Sequence, residues 1–185
     1  YVDRQAIADA GLRVLLAEQP SLVAGHAFTS GPIPHISFER VLAPTRMHIG
    51  LVQGAGCAPE RLPEAKRTLA VVSDDFDHER ATCFNVRGKG LVVMTSCGHR
   101  GVVNSVRGAM KASGVDKVHA VLGGFHLVPH PAEYLRETLA ALKAINPDFV
   151  IPMHCTGEAF VALALREMPL ETVRSSTGTR FVFTA

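Results

Sequence analysis

Three times in succession between residues 91 and 168, a run of apolar β-forming residues is followed by a short loop and then by a helical stretch. Leu91 to Thr95 is a continuous apolar run, as a strand buried on both faces shows, and a helix is expected from Val102 to Ser113, ended by Gly114. Lys117 to Leu122 is the next strand. Its helix, Ala132 to Ile145, starts after Pro131, carries Tyr134, Leu135, Leu139, Leu142 and Ile145 at helical spacing, and stops at Asn146-Pro147. Phe149 to Ile151 and Glu158 to Met168 make the third pair. Consecutive strand–helix units require an α/β layer with a mainly parallel or mixed sheet and right-handed crossovers.

Each of these strands runs out into a loop that holds a histidine: Ser96-Cys97-Gly98-His99, Gly123-Gly124-Phe125-His126, and Pro152-Met153-His154-Cys155. Parallel strands put their carboxyl ends on one edge of a sheet, the edge where open α/β sheets bind ligands. The imidazoles of His99, His126 and His154 are therefore expected to converge, and converging neutral imidazoles suit Zn²⁺, Mn or Fe. Glycines 98, 123 and 124 permit the close backbone approach that tight ligand loops need.

The other histidines carry weaker signals. His26, His35 and His48 lie in irregular sequence, where they are candidates to line a pocket, and His78 sits in the acidic stretch from Asp74 to Glu79, a candidate source of a ligand whose plainer reading is a solvated cluster. His119 falls in mid-strand and reads as structural; His130, between two prolines, reads as a loop residue near the site. Cys97 and Cys155 each adjoin a candidate ligand. A Cys155–His154 nucleophile pair is the competing chemistry, and small thiols packed beside a site are the plainer reading.

The rest of the chain is less regular. A helix is expected over residues 3–17, stopped by Pro20, and a short strand over 22–28. Residues 43–68, with prolines 44, 59 and 63 and glycines 50, 54 and 56, read as a loop-rich insertion. Ala81 to Val86 is expected as a strand turning through Arg87-Gly88-Lys89-Gly90, and short strands are expected at 170–174 and 180–184. The expected division is 1–79, an irregular or substrate-covering region, and 80–185, the strand–helix half.

Composition narrows the function. With 47% hydrophobic and 19% charged residues, the 185-residue chain has the means for a packed core. A net charge of +2, without a long Lys/Arg run, speaks against a nucleic-acid partner, and no apolar stretch suits a membrane span. Four cysteines without a C-x-x-C suit thiols in a reducing, cytoplasmic compartment. There is no G-x-S-x-G, P-loop or G-x-G-x-x-G, so serine hydrolase, NTPase and dinucleotide chemistry are disfavoured.

The segments Gly90 to Asn104, Val118 to Leu127 and Ile151 to Gly157, with Asp75-Phe76 through Glu79 ahead of them, resemble the metallo-β-lactamase superfamily. Within it they are most similar to the 7,8-dihydropterin-6-yl-methyl-4-(β-D-ribofuranosyl)aminobenzene 5′-phosphate synthase-like subfamily. The resemblance covers residues 70–185 well and 1–69 loosely. It implies the C-terminal part of an αββα sandwich with a dinuclear metal site, zinc or alternatively Mn or Fe, at one edge of its sheets. His99 matches the third metal-binding motif and His154 the last. His126 falls near a motif that supplies a bridging Asp, and no Asp stands there.

The implied activity is hydrolysis of an ester or phosphoester-type small molecule by metal-activated water, with His126 a ligand or an electrophilic stabiliser. The hallmark His-x-His-x-Asp-His loop does not occur in the chain, and the first residue is Tyr1. The expectation is therefore a C-terminal portion of a longer protein. One sheet face would be left bare, to be covered by the missing half or by a second copy. Two alternatives stand beside this reading: a mononuclear three-histidine site, and a non-catalytic module that binds a ligand or partner.

Overall fold

The computed structural model describes residues 4–15, 18–42, 45–52, 55–57 and 59–185. In chain order its elements are α1 (Arg4–Asp9), β1 (Ser21–Val23), β2 (Ala27–Thr29), β3 (Arg46–His48), β4 (Gly50–Val52), β5 (Ala55–Cys57), α2 (Glu64–Arg67) and β6 (Val71–Ser73). There follow β7 (Thr82–Val86), β8 (Gly90–Thr95), α3 (Val102–Ser113), β9 (Val118–Gly124), α4 (Ala132–Ile145), β10 (Phe149–Met153) and α5 (Glu158–Glu167). They fall into two compact units, one drawn from residues 1–16 and 43–75, the other from 17–42 and 76–185.

The first unit contains α1, α2 and two antiparallel pairs, β3 with β6 and β4 with β5. The stretch expected as loop over 43–68 thus carries three short strands. The helix expected over 3–17 runs only from Arg4 to Asp9. Gly11 turns the chain at φ 77°, and Leu12 and Leu15 stay exposed. An apolar stripe with nothing to bury against does not sustain so short a helix. Residues 3, 16 and 17 of that expectation lie outside the described residues.

The second unit is built on a six-stranded mixed sheet in the order β1-β2-β7-β8-β9-β10. The pairs up to β7–β8 are antiparallel, and β8–β9 and β9–β10 are parallel, as the strand–helix alternation requires. The strand expected over 22–28 is instead a hairpin, turned at Ala24 (φ 50°) and Gly25 (φ 78°). Helices α3, α4 and α5 cover one face. There Leu91, Val93, Val118, Val121 and Val150 bury against Val103, Val106, Leu139, Leu142 and Phe160. Each such side chain contributes about 1.5–3 kcal/mol.

The segment before the first site loop belongs to this unit because Glu39 reaches the start of α3. Its carboxylate accepts the N–H groups of Val103 (3.1 Å) and Asn104 (2.8 Å), donors that the helix cannot satisfy itself. Asn104 Oδ1 in return accepts the N–H groups of Ile36 and Ser37. Gly101 is required at this junction, since a Cβ there would lie 2.0 Å from Glu39 Oε2. Residues 17–42 therefore group with 76–185, whereas the sequence reading draws one boundary at 79.

The second face of the sheet was expected to be bare. Val92, Leu122 and Ile151 on it are in fact buried, packed with Phe84, Phe149, Val173, Phe181 and Phe183, while Met94 stays exposed. The expected strands at 170–174 and 180–184 do not form. Thr172 makes one isolated bridge to Val150, and the last residues are seated by aromatic side chains rather than by a ladder. Among the described residues no helix is long and apolar enough to cross a membrane.

Candidate metal centre

The carboxyl ends of β8, β9 and β10 lead into three segments joined to one another through threonine hydroxyls and main-chain groups. Thr95 Oγ1 donates to Gly124 O at 2.7 Å. Gly123 lies at φ 121°, with its absent Cβ only 1.9 Å from Thr95 O, so no larger residue fits between the first two loops. The third loop joins through Thr156, whose hydroxyl donates to Met153 O at 2.6 Å and accepts the Phe125 N–H at 3.1 Å. Leu127 N–H donates to Cys155 O at 3.1 Å. His126 and His154 both stand at φ 48°, the left-handed region that costs a non-glycine residue about 1–3 kcal/mol.

His99 is held on two sides. Its Nδ1 lies 2.9 Å from Glu79 Oε1, and the carboxylate also accepts the main-chain N–H groups of His99 (2.9 Å) and Arg100 (2.8 Å). A carboxylate only accepts, so Nδ1 carries a proton, and in the neutral ring the lone pair stands on Nε2. That tautomer is the one a metal ligand needs. Phe76 stacks on the same ring at 4.0 Å and 9° from parallel, and the Arg100 guanidinium pairs with Asp77.

The His126 ring lies 4.4 Å from that of His99, centroid to centroid, tilted by 52°. Burial lowers its pKa, helped by His99 and His154 and opposed by Glu79. The ring is thereby favoured in its neutral form. Its Nδ1 is buried and has no hydrogen-bond partner among the described residues. A buried nitrogen without a partner is costly in an apolar setting and fits a cation that takes its lone pair. His154 is exposed, at the end of β10, close enough to His126 to act on its charge. The structure thus pairs the rings of His99 and His126 and sets His154 on the same sheet edge.

His130 stacks on Tyr134 at 3.8 Å, its pKa lowered by burial and by His126 and Arg40, which fits a neighbour of the site. His119 is buried on the second sheet face with Nδ1 2.7 Å from Asp148, a structural residue. His26, His35 and His48 are exposed. Burial, with Cys97 beside it, pushes the Cys155 thiol up to about 11, which disfavours the thiolate a nucleophile requires. The sequence offers the acidic cluster around Glu79 only as a source of a ligand and gives Phe76 no role; neither is read from it as a partner of His99. Their nearness to His99 is a contact across about 20 residues that no periodicity reveals; the one signal was their place in the resembling segment.

No protein-family model matches the chain. Over 87 residues it is 39% identical to the 7,8-dihydropterin-6-methyl-4-(beta-D-ribofuranosyl)-aminobenzene-5'-phosphate synthase of Methanocaldococcus jannaschii, a match that covers 47% of this chain and 29% of that protein. Over 97 residues it is 41% identical to an uncharacterized protein of the same organism, MJ0448, covering 52% of this chain and 32% of that protein. The matches span roughly a third of each relative's length. The crystal structure of Tm1679, named a metal-dependent hydrolase of the beta-lactamase superfamily, superimposes with a TM-score of 0.70 at 21% identity, covering 94% of this chain and 59% of that one. The α/β architecture of this chain is therefore the metallo-β-lactamase fold, and its sequence bears out the resemblance to the synthase subfamily.

Proposed function

From the premise that this chain carries the metallo-β-lactamase fold, we propose that it forms part of a metal-dependent hydrolase acting on an ester or phosphoester. His99, His126 and His154 are its donors. The observation that supports this most is the buried, unpartnered Nδ1 of His126 beside a His99 ring already fixed with Nε2 free. Three imidazoles fill three of the four positions of one zinc ion and leave one open; a second ion requires donors beyond these three. Zinc suits the set, as do Mn and Fe. A cytoplasmic location, where thiols stay reduced, goes with this reading.

An ion bound there supplies Lewis acidity and a water acidified toward neutral pH. The chain's own residues do the positioning. Glu79 holds the His99 proton on Nδ1, and Phe76 shields one face of that ring. Burial keeps the His126 ring neutral, ready to ligate or to polarise an oxygen of the substrate.

The test is hydrolysis of bis(p-nitrophenyl) phosphate and of a lactone by chelator-stripped protein given back Zn²⁺ or Mn²⁺. Turnover that needs the ion and is lost in His126→Ala and His154→Ala supports the reading. Equal rates in wild type and both variants refute it. The similarity to a synthase favours a second reading of the substrate, a dihydropterin or an aminobenzene ribofuranosyl phosphate. Protection of the protein against thermal melting by such a compound, in the presence of metal, tests it.

A further inference from the structure

Beside the two paired histidine rings lies a donor set of different chemistry. One ligand atom from each of Cys97, His154 and Cys155 lies within 4.8 Å of the other two. The Cys155 thiol donates to Cys97 O at 3.2 Å, which ties the two loops together at the sulfur. Gly124 leaves the room: a Cβ there would lie 2.9 Å from Cys155 Sγ and 3.0 Å from Cys97 Cα. Both cysteines are partly exposed and His154 is exposed, so an ion has a path to them.

We propose that Cys97, His154 and Cys155 bind a thiophilic divalent cation, Zn²⁺ or Cd²⁺, as a donor set separate from the His99–His126 pair. Tetrahedral zinc, with bonds of about 2.3 Å to sulfur and 2.0 Å to nitrogen, holds its donors roughly 3.5–3.8 Å apart. The three atoms, within 4.8 Å of one another, would need to close by at most about an ångström to meet that spacing. Each thiol gives its proton to solvent as its sulfur–metal bond forms, and nothing is oxidised or reduced. Soft thiolates select such ions over Mn²⁺ or Mg²⁺. The sulfur site stands without the hydrolytic reading. Only one consequence rests on that reading: an ion held here takes His154 from the imidazole centre, so excess Zn²⁺ or Cd²⁺ inhibits.

The experiment is a Cd²⁺ titration of the chelator-stripped full chain, followed by the ultraviolet thiolate-to-cadmium charge-transfer band. One equivalent is expected to produce the band, and Cys97→Ser and Cys155→Ser are each expected to weaken binding at least about tenfold. His99→Ala is expected to keep the band. In the wild-type protein, Cd²⁺ is expected to slow iodoacetamide labelling of Cys97 and Cys155, read by peptide mass, at least about tenfold. No band, a band that survives both serine substitutions, a band lost in His99→Ala, or unchanged labelling of the two thiols overturns the proposal. A failed hydrolytic reading shows itself differently, as absent turnover with the cadmium band intact.

Discussion

The ring of Phe76 lies flat against that of His99, 4.0 Å away and 9° from parallel. With Glu79 on Nδ1, this leaves the His99 ring one orientation and one free nitrogen. Both partners come from the turn before β7, while His99 comes from the loop after β8. The ring is thus positioned by the fold, and under the proposed metal-binding role this would lower the ordering cost of taking up an ion.

Removing that positioning is expected to weaken metal binding more than folding. Phe76→Ala and Glu79→Gln should each reduce Zn²⁺ affinity by about 10–100-fold, measured by competition with a chromophoric chelator. Unchanged affinity in Glu79→Gln would mean that the His99 tautomer does not depend on the carboxylate.

His126 shows the opposite balance. It holds a left-handed φ and a buried nitrogen without a partner among the described residues, both unfavourable in the metal-free protein. His126→Gly is expected to stabilise the metal-free protein by about 1 kcal/mol in urea unfolding, while lowering metal content measured by elemental analysis. A destabilised glycine variant would show that the ring is held for packing.

Glu39 makes stability depend on pH in a defined direction. Burial raises its pKa, against the pull of the Asn104 and Val103 N–H groups and the Ser37 hydroxyl. A carboxyl raised in the folded state adds stability that is fully present below its unfolded pKa, about 4.3. That stability is lost as pH rises through the folded value. Asp148, lowered by its bond to His119, slopes the other way, so the measured quantity is the difference between wild type and Glu39→Gln. That difference should shrink as pH rises from about 4.3 and then level off. An amide also loses one acceptor at the start of α3, which costs about 1–3 kcal/mol.

On the second sheet face, Phe181 and Phe183 shield Val92, Leu122 and Ile151. Replacing both by alanine is expected to cost about 1.5–3 kcal/mol, to raise binding of a hydrophobic dye, and to promote self-association in sedimentation. A dye response equal to that of the wild type would mean that the cover lies elsewhere.

Helices α3 and α4 were legible to the residue, because Gly114 ends one and Pro131 and Asn146 bound the other, both with left-handed C-caps. The three site strands were legible from their apolar runs, though β9 and β10 continue two residues further than expected. The same period-based reading found the sheet edge where His99 and His126 meet. It did not find Glu79, Phe76 or Glu39, whose partners lie 20 to 65 residues away. Nor did it see that the last residues fold back over the sheet. Those contacts come from tertiary packing, which leaves no period in the chain.

At Gly98, Gly123 and Gly124, the glycine Cα faces a carbonyl oxygen of the neighbouring segment with no room for a methyl group. The pair of imidazoles at His99 and His126 is therefore set by peptide planes. Substituting the residues that face solvent around it can change which molecule is welcomed without moving the rings themselves. Under the proposed function, the donor geometry would be anchored in the main chain and the selectivity left free to vary on the rim.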